Sequence, residues 1–201
     1  MDDRVFDKFL DEEENNPMDL YKLLESFQAI NLQDEQYKPV IKKYMEEILQ
    51  QFNQSIDEQH TAISTLRIFV PKGFVSPSIM PKDFIQEYVE LFSNPLTDIY
   101  IKVALLSLSN DMMLYCPGFV EKFGEELYYA RVYEEMRGGN FQVDECLPVL
   151  NHFVSYHSAF SYLVEFGFFD FLLQKLEEKI PQSSKFAICA SLKYFTTSGY
   201  F

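Results

Sequence analysis

The sequence predicts an all-α fold built from one repeated helical unit, and three observations predict it. Glycine is scarce, 7 in 201 residues, too few for a strand-and-turn protein or a phosphate-cradling loop. Prolines and glycines punctuate stretches of helical apolar spacing, at Pro17, Pro39, Gly73 to Pro81, Pro95, Pro117-Gly118, Gly138-Gly139, Pro181 and Gly199. Leucines also fall at positions 24, 66, 108, 150 and 192, each 42 residues after the last, the signature of a stacked array.

The individual elements follow from spacing. Residues 39–52 place Ile41, Tyr44, Met45, Ile48, Leu49 and Phe52 on one helix face, with Lys42, Lys43, Glu46, Glu47, Gln50 and Gln51 opposite. Residues 82–92 repeat this with Phe84, Ile85, Tyr88, Val89 and Phe92. Residues 143–154 are interrupted by Pro148, which should kink the helix or mark its first turn.

Around each repeated leucine the neighbouring columns are apolar too. Four residues before it stand Leu20, Ala62, Ala104, Cys146 and Ile188, and three before it Tyr21, Ile63, Leu105, Leu147 and Cys189. Three after it stand Phe27, Phe69, Asp111, Phe153 and Phe195. These positions share one helix face, broken only by Asp111, so Cys146 and Cys189 are expected in the core as small apolar residues. The segments 119–124 and 163–167 are near copies, 43 apart at Gly124 and Gly167, and run into helices expected at 125–136 and 168–179. Each unit should therefore be a short helix, a turn at Gly, a longer helix and then the leucine-stripe helix.

The stretches LVEFGFFDFLLQKLEE and SSKFAICASLKYF within 163–195, FVEKFGEELYYARVYEE at 119–135 and VDECLPVLNHF at 143–153 resemble armadillo repeats, with the related HEAT repeats as second choice. The resemblance covers residues 18–201 and leaves residues 1–17 as an acidic N-terminal tail. It implies a right-handed α-solenoid of about four repeats plus a partial C-terminal one, whose third helices line a concave surface that binds protein or peptide. Armadillo proteins that grip extended basic peptides use an Asn ladder flanked by Trp. Here the ladder column, two after each leucine, reads Ser26, Ile68, Asn110, His152 and Tyr194, and the Trp column reads Lys22, Ser64, Leu106, Pro148 and Ala190. Only Asn110 matches, so the mechanism of a nuclear import receptor is not expected.

Charge and cysteine content narrow the function classes. A net charge of −14 lacks the cationic footprint that neutralising nucleic-acid phosphates requires, so no nucleic acid is expected as a partner, and it disfavours anionic membrane surfaces. No apolar run reaches the length of a membrane span. The start MDDRVFDKFLDEEENN is acidic where a signal peptide is basic and then apolar. Cys116, Cys146 and Cys189 make no disulfide framework, and the sequon at Asn53 reads as unglycosylated. A cytoplasmic location, or a nuclear one, is the expectation.

Nothing in the sequence assembles into a reaction centre. His60, His152 and His157 are dispersed, and no C-x-x-C, H-x-x-x-H, Walker loop, G-x-S-x-G or dinucleotide fingerprint occurs, so no catalytic residue, metal or cofactor is expected. The pairs Glu46-Glu47, Glu125-Glu126, Glu134-Glu135 and Glu177-Glu178 read as solvated faces. Asp57-Glu58, Asp98 and Asp144-Glu145 stand where stripe helices begin and suit the positive helix end. The run at 11–16 reads as a solvated cap, or alternatively as a docking segment for a basic partner.

The expected function is a non-catalytic scaffold that binds protein or peptide. The alternative is a regulatory or structural subunit held permanently in a larger enzyme or trafficking complex. The column after each leucine is polar in every copy: Glu25, Arg67, Ser109, Asn151 and Lys193. With the column after that, it assigns Arg67, Asn110, Asn151, His152, Lys193 and Tyr194 to the concave surface. Tyr128, Tyr129, Tyr133, Tyr194 and Tyr200 are expected to face partly outward as anchors. A solenoid end needs a polar cap, and Tyr200-Phe201 is apolar. That end is expected either to fold back or to be covered by a partner, a second copy of the chain included.

Overall fold

Residues 38–197, which the computed structural model describes, form ten α-helices and no strand. They are α1 (Lys38–Gln50), α2 (Ile56–Phe69), α3 (Phe84–Ser93), α4 (Ile99–Tyr115), α5 (Gly118–Glu125), α6 (Tyr128–Arg137), α7 (Val143–His152), α8 (His157–Glu165), α9 (Phe168–Glu177) and α10 (Gln182–Thr197). Single 3₁₀ turns extend α1, α2 and α7 at Gln51–Asn53, Val70–Lys72 and Phe153–Ser155. The first copy of the period around Leu24, the acidic tail at 1–17, and Tyr200 and Phe201 lie outside the described residues. Among the described helices none is long and apolar enough to cross a membrane.

The acidic residues expected at helix starts act there. Ser55 and Glu58 form a reciprocal capping box on α2, with the Ser55 amide donating to Glu58 Oε2 at 2.9 Å. The Asp98 carboxylate accepts from the Tyr100 amide at 2.8 Å to start α4, and Glu145 Oε2 accepts from the Gln142 amide at 2.7 Å at α7. Each satisfies an orphan donor and sets a negative charge at the positive helix end.

The helices that carry Leu66, Leu108, Leu150 and Leu192 are α2, α4, α7 and α10. Their pairings, α2 with α4, α4 with α7 and α7 with α10, are the most extensive helix packings among the described residues. Their shared stripe supplies the seam: Ala62, Ile63, Leu66, Phe69, Leu105, Leu108, Cys146, Leu147, Leu150, Phe153, Ile188 and Phe195 are buried. Three residues depart from expectation. Ala104 on α4 and Leu192 are only half-buried, and Cys189 is exposed rather than buried. Cys189 and Leu192 lie on α10, the last described helix of the series.

The helices that stand between successive stripe helices differ in number. Between α2 and α4 only α3 forms; residues 73–83 are irregular, because Pro77 and Pro81 cannot donate to a helical ladder. Two helices precede α7 and two precede α10, as expected. The turn expected at both glycines occurs at only one. Gly167, with φ 76°, precedes α9 in the left-handed conformation that costs glycine little. In the other copy the left-handed residue is Leu127, with φ 55°, so α6 begins at Tyr128 rather than at residue 125. Gly124 lies inside α5 for a different reason: a Cβ there would stand 2.6 Å from Cε1 of Tyr156. Pro148 lies inside α7, beyond its first turn.

The tyrosines of α6 are core residues. Tyr128, Tyr129 and Tyr133 are buried, which corrects their expected outward placement. They alternate with apolar residues at helical spacing, and aromatic rings close around them. Tyr128 meets Phe92 at 5.1 Å, Phe123 at 5.0 Å and Tyr88 at 5.8 Å between ring centroids. Tyr129 meets Phe153 at 5.6 Å and Tyr133 meets Phe168 at 5.5 Å. These are tilted and edge-on geometries that suit the ring quadrupole. The buried hydroxyls find partners: Tyr88 donates to the Leu105 carbonyl, Tyr128 lies 3.1 Å from Ser109 Oγ, and Tyr133 donates to the Phe166 carbonyl at 3.0 Å.

Candidate binding surface

Side chains in three columns of the stripe helices reach forward to the next helices of the chain. One residue after the leucine, Arg67 on α2 donates from Nε to Asp111 Oδ2 on α4 at 2.9 Å. In the same column Ser109 Oγ on α4 pairs with Tyr128 on α6. Two after the leucine, Asn110 Oδ1 on α4 lies 3.1 Å from His152 Nε2 on α7, a bond between equivalent positions one period apart. Six before it, Lys102 Nζ on α4 donates to Glu135 Oε1 on α6 at 2.9 Å, and Asp144 Oδ1 on α7 accepts from Ser184 Oγ on α10 at 3.1 Å.

A depression of ≈220 Å³ opens along this line, between α2, α4 and α7. Arg67, Asn110 and Ser107 give it a polar wall, Asp111, Asp144 and Glu145 an acidic one, and Val103, Leu106 and Pro148 an apolar one. One guanidinium stands against three carboxylates, so the depression is anionic. Each carboxylate already has a partner: Asp111 the Arg67 guanidinium, Asp144 the Ser184 hydroxyl, Glu145 the Gln142 amide.

Of the six residues assigned to the surface, Arg67 and Asn110 line this depression together, and His152 adjoins it through Asn110. Asn151 is half-buried, its Oδ1 enclosed and without a hydrogen-bond partner. Lys193 and Tyr194 are exposed on α10 and do not line the depression. Ser109, in the column expected to be all surface, is wholly buried, because its hydroxyl is satisfied by the Leu106 carbonyl at 2.9 Å and by Tyr128.

No family model, curated protein or solved structure matches the chain. The surface is therefore understood through its own residues.

The shifted titrations mark packing. Burial raises the Tyr88 and Tyr128 hydroxyls and the Cys146 thiol well above their ordinary values, so all three stay neutral. Burial lowers His152, which sits neutral beside Asn110. Among the described residues no group of three or more His, Cys, Asp or Glu converges as a metal site.

Two further residues take part, Lys102 and Glu135. Lys102 is only 6% exposed, with its ammonium on Glu135 and 5.8 Å from the centre of the Phe92 ring, a cation–π contact. Glu135 was expected on a solvated face; instead one oxygen holds Lys102 and the other accepts from Asn140 Nδ2 at 2.6 Å. The available signal was the column six before each leucine, which reads Met18, His60, Lys102, Asp144 and Phe186.

Proposed function

We propose that the protein is a non-catalytic scaffold, an armadillo-like right-handed α-solenoid that binds a protein or peptide along its stripe helices. The observation that carries this reading is the pair of bonds that join successive stripe helices, Arg67 on α2 to Asp111 on α4 and Asn110 on α4 to His152 on α7. The first spans 44 residues of the chain and the second 42, so each ties one stripe helix to the next at a similar interval. An extended ligand can then meet the same type of contact repeatedly.

The depression between α2, α4 and α7 is the first contact assigned. Its three carboxylates against one guanidinium favour a basic side chain, whose aliphatic stem would lie on Val103, Leu106 and Pro148. A reaction centre would need titratable groups left poised in a pocket; here each carboxylate is engaged, and Tyr88, Tyr128 and Cys146 are enclosed in the core. The three free thiols, of which Cys146 is buried, fit a reducing cytoplasmic or nuclear compartment. The second reading, a subunit held permanently in a complex, is favoured by the exposed apolar side chains of α10, among them Phe186 and Tyr194.

The test is affinity capture with the full chain and with Ser107→Arg, read by quantitative mass spectrometry. Ser107 is half-buried on the wall of the depression, and an arginine there fills it with its own cation. The proteins captured by the wild-type chain should be lost from the variant. Capture unchanged by Ser107→Arg discards the depression as the contact.

A further inference from the structure

The outer face of α10 differs from its counterparts in a way that defines a ligand. Five columns make up this face of a stripe helix: six, three and two residues before the leucine, and one and five after it. At 100° per residue all five fall within one sector of the helix. In α4 they are Lys102, Leu105, Leu106, Ser109 and Met113, and all five are buried. In α7 and its 3₁₀ extension they are Asp144, Leu147, Pro148, Asn151 and Ser155, of which only Leu147 is fully buried. In α10 they are Phe186, Cys189, Ala190, Lys193 and Thr197, and all five are exposed. Phe186 is 75% exposed, and Tyr194 two turns further along the helix is 50% exposed. The buried side of α10 lies opposite, at Ser184, Ile188, Ser191 and Phe195.

What covers this face in α4 is helical and carries an acid. Two α6 side chains meet it: Tyr128 on Ser109, and Glu135 on Lys102. The same pairing of charges recurs from α2 to α4, where Arg67 meets Asp111. In α10 the column of Arg67 and Ser109 holds Lys193, which has no carboxylate on its own helix: Gln182–Thr197 contains two lysines and no Asp or Glu. In a chain of net charge −14, α10 is a local cationic and apolar surface.

We propose that the outer face of α10 docks an amphipathic helix of another protein. That helix presents apolar side chains to Phe186, Cys189 and Ala190 and a carboxylate to Lys193. It occupies the place that α6 takes on α4. A second copy pairing through α10 is the poorer occupant, since its own α10 offers Lys193 no carboxylate and the pairing brings two strongly acidic chains together. This surface lies on residues other than those that line the depression, so either assignment can fail without the other.

The experiment uses the full chain and three synthetic amphipathic helices that share one leucine stripe and differ only in flanks of glutamate, glutamine or lysine. Fluorescence anisotropy should show the glutamate-flanked helix binding about tenfold tighter than the lysine-flanked one. Phe186→Asp should weaken it about tenfold or more, and Lys193→Glu should remove or invert the preference. Cys189, an exposed free thiol, should be alkylated more slowly when the glutamate-flanked helix is bound. Phe186 and Lys193 are exposed, so an unchanged circular dichroism melt confirms that both variants fold. Equal affinity for the three helices, no binding of any, or binding indifferent to Phe186→Asp would overturn the proposal. A concentration-dependent dimer mass abolished by Phe186→Asp would overturn it in favour of a second copy.

Discussion

In α4 and α10 the same stripe of residues meets opposite surroundings. Leu108 is fully buried, Leu192 half-buried; Lys102 is held by Glu135, while Phe186 in its column stands in solvent. The difference cannot come from local hydrophobicity, because the more polar side chain is the buried one. It comes from what the following helices supply. Around α4 they bring a carboxylate and a ring of aromatics, so even a lysine is satisfied below the surface. The lesson is that a helical stripe records one face of a helix, and the opposite face belongs to its neighbours.

The strongest way to break this comparison is to truncate the repeated leucine at both places. Leu108→Ala should cost about 3–5 kcal/mol, since the site is closed on all sides and a cavity remains. Leu192→Ala should cost about 1–2 kcal/mol, because part of that side chain already faces water. Denaturant titration of both variants checks it. Equal losses would mean that α10 is as fully covered in solution as α4.

A smaller effect sharpens the polar half of the contrast. Lys102→Ala leaves Glu135 partly enclosed with only Asn140 as a charge-assisted donor, and should cost about 2 kcal/mol. Lys102→Met keeps the apolar stem against Phe92 and should cost less than Lys102→Ala. At the equivalent position of α10, Phe186→Ala should stay within about 0.5 kcal/mol of the parent. Urea midpoints for the three variants decide between a column effect and a neighbourhood effect.

Much of the fold is legible in the chain. The 42-residue spacing marks the helices that stack, and Asp57-Glu58, Asp98 and Asp144-Glu145 mark where three of them begin. What stays hidden is whatever depends on a residue's neighbour. Leu127 adopts the left-handed turn that Gly167 adopts in the other copy, and leucine carries no signal for it. Gly124 looks like that turn glycine but serves the approach of Tyr156. The tyrosines of α6 read as amphipathic because each has a hydroxyl, yet for Tyr128 and Tyr133 that hydroxyl is met inside. At the candidate surface, Arg67 and Asn110 follow from their columns, whereas Asp111 shows in the sequence only as a break in an apolar column. Its reason, the Arg67 guanidinium one unit back, lies 44 residues away.

The smallest effect concerns the join between α4 and α7. His152 is partly desolvated, which lowers its pKa from the ordinary value of 6.5. Its bond to Asn110 Oδ1 uses an Nε2 proton present in both the neutral and the charged ring, so burial alone sets the direction. Above pH 6.5 the ring is neutral whether the chain is folded or not, and its contribution to stability is fully present. As the pH falls below that value, the unfolded chain takes up the proton before the folded one does. Stability therefore declines toward the lowered folded-state pKa. His152→Gln retains an amide that can bond Asn110 and removes the titration. The melting temperature of the wild-type chain should fall more steeply than that of the variant as the pH is lowered through 6.5. Parallel slopes for wild type and His152→Gln would show that the α4–α7 join is open to water.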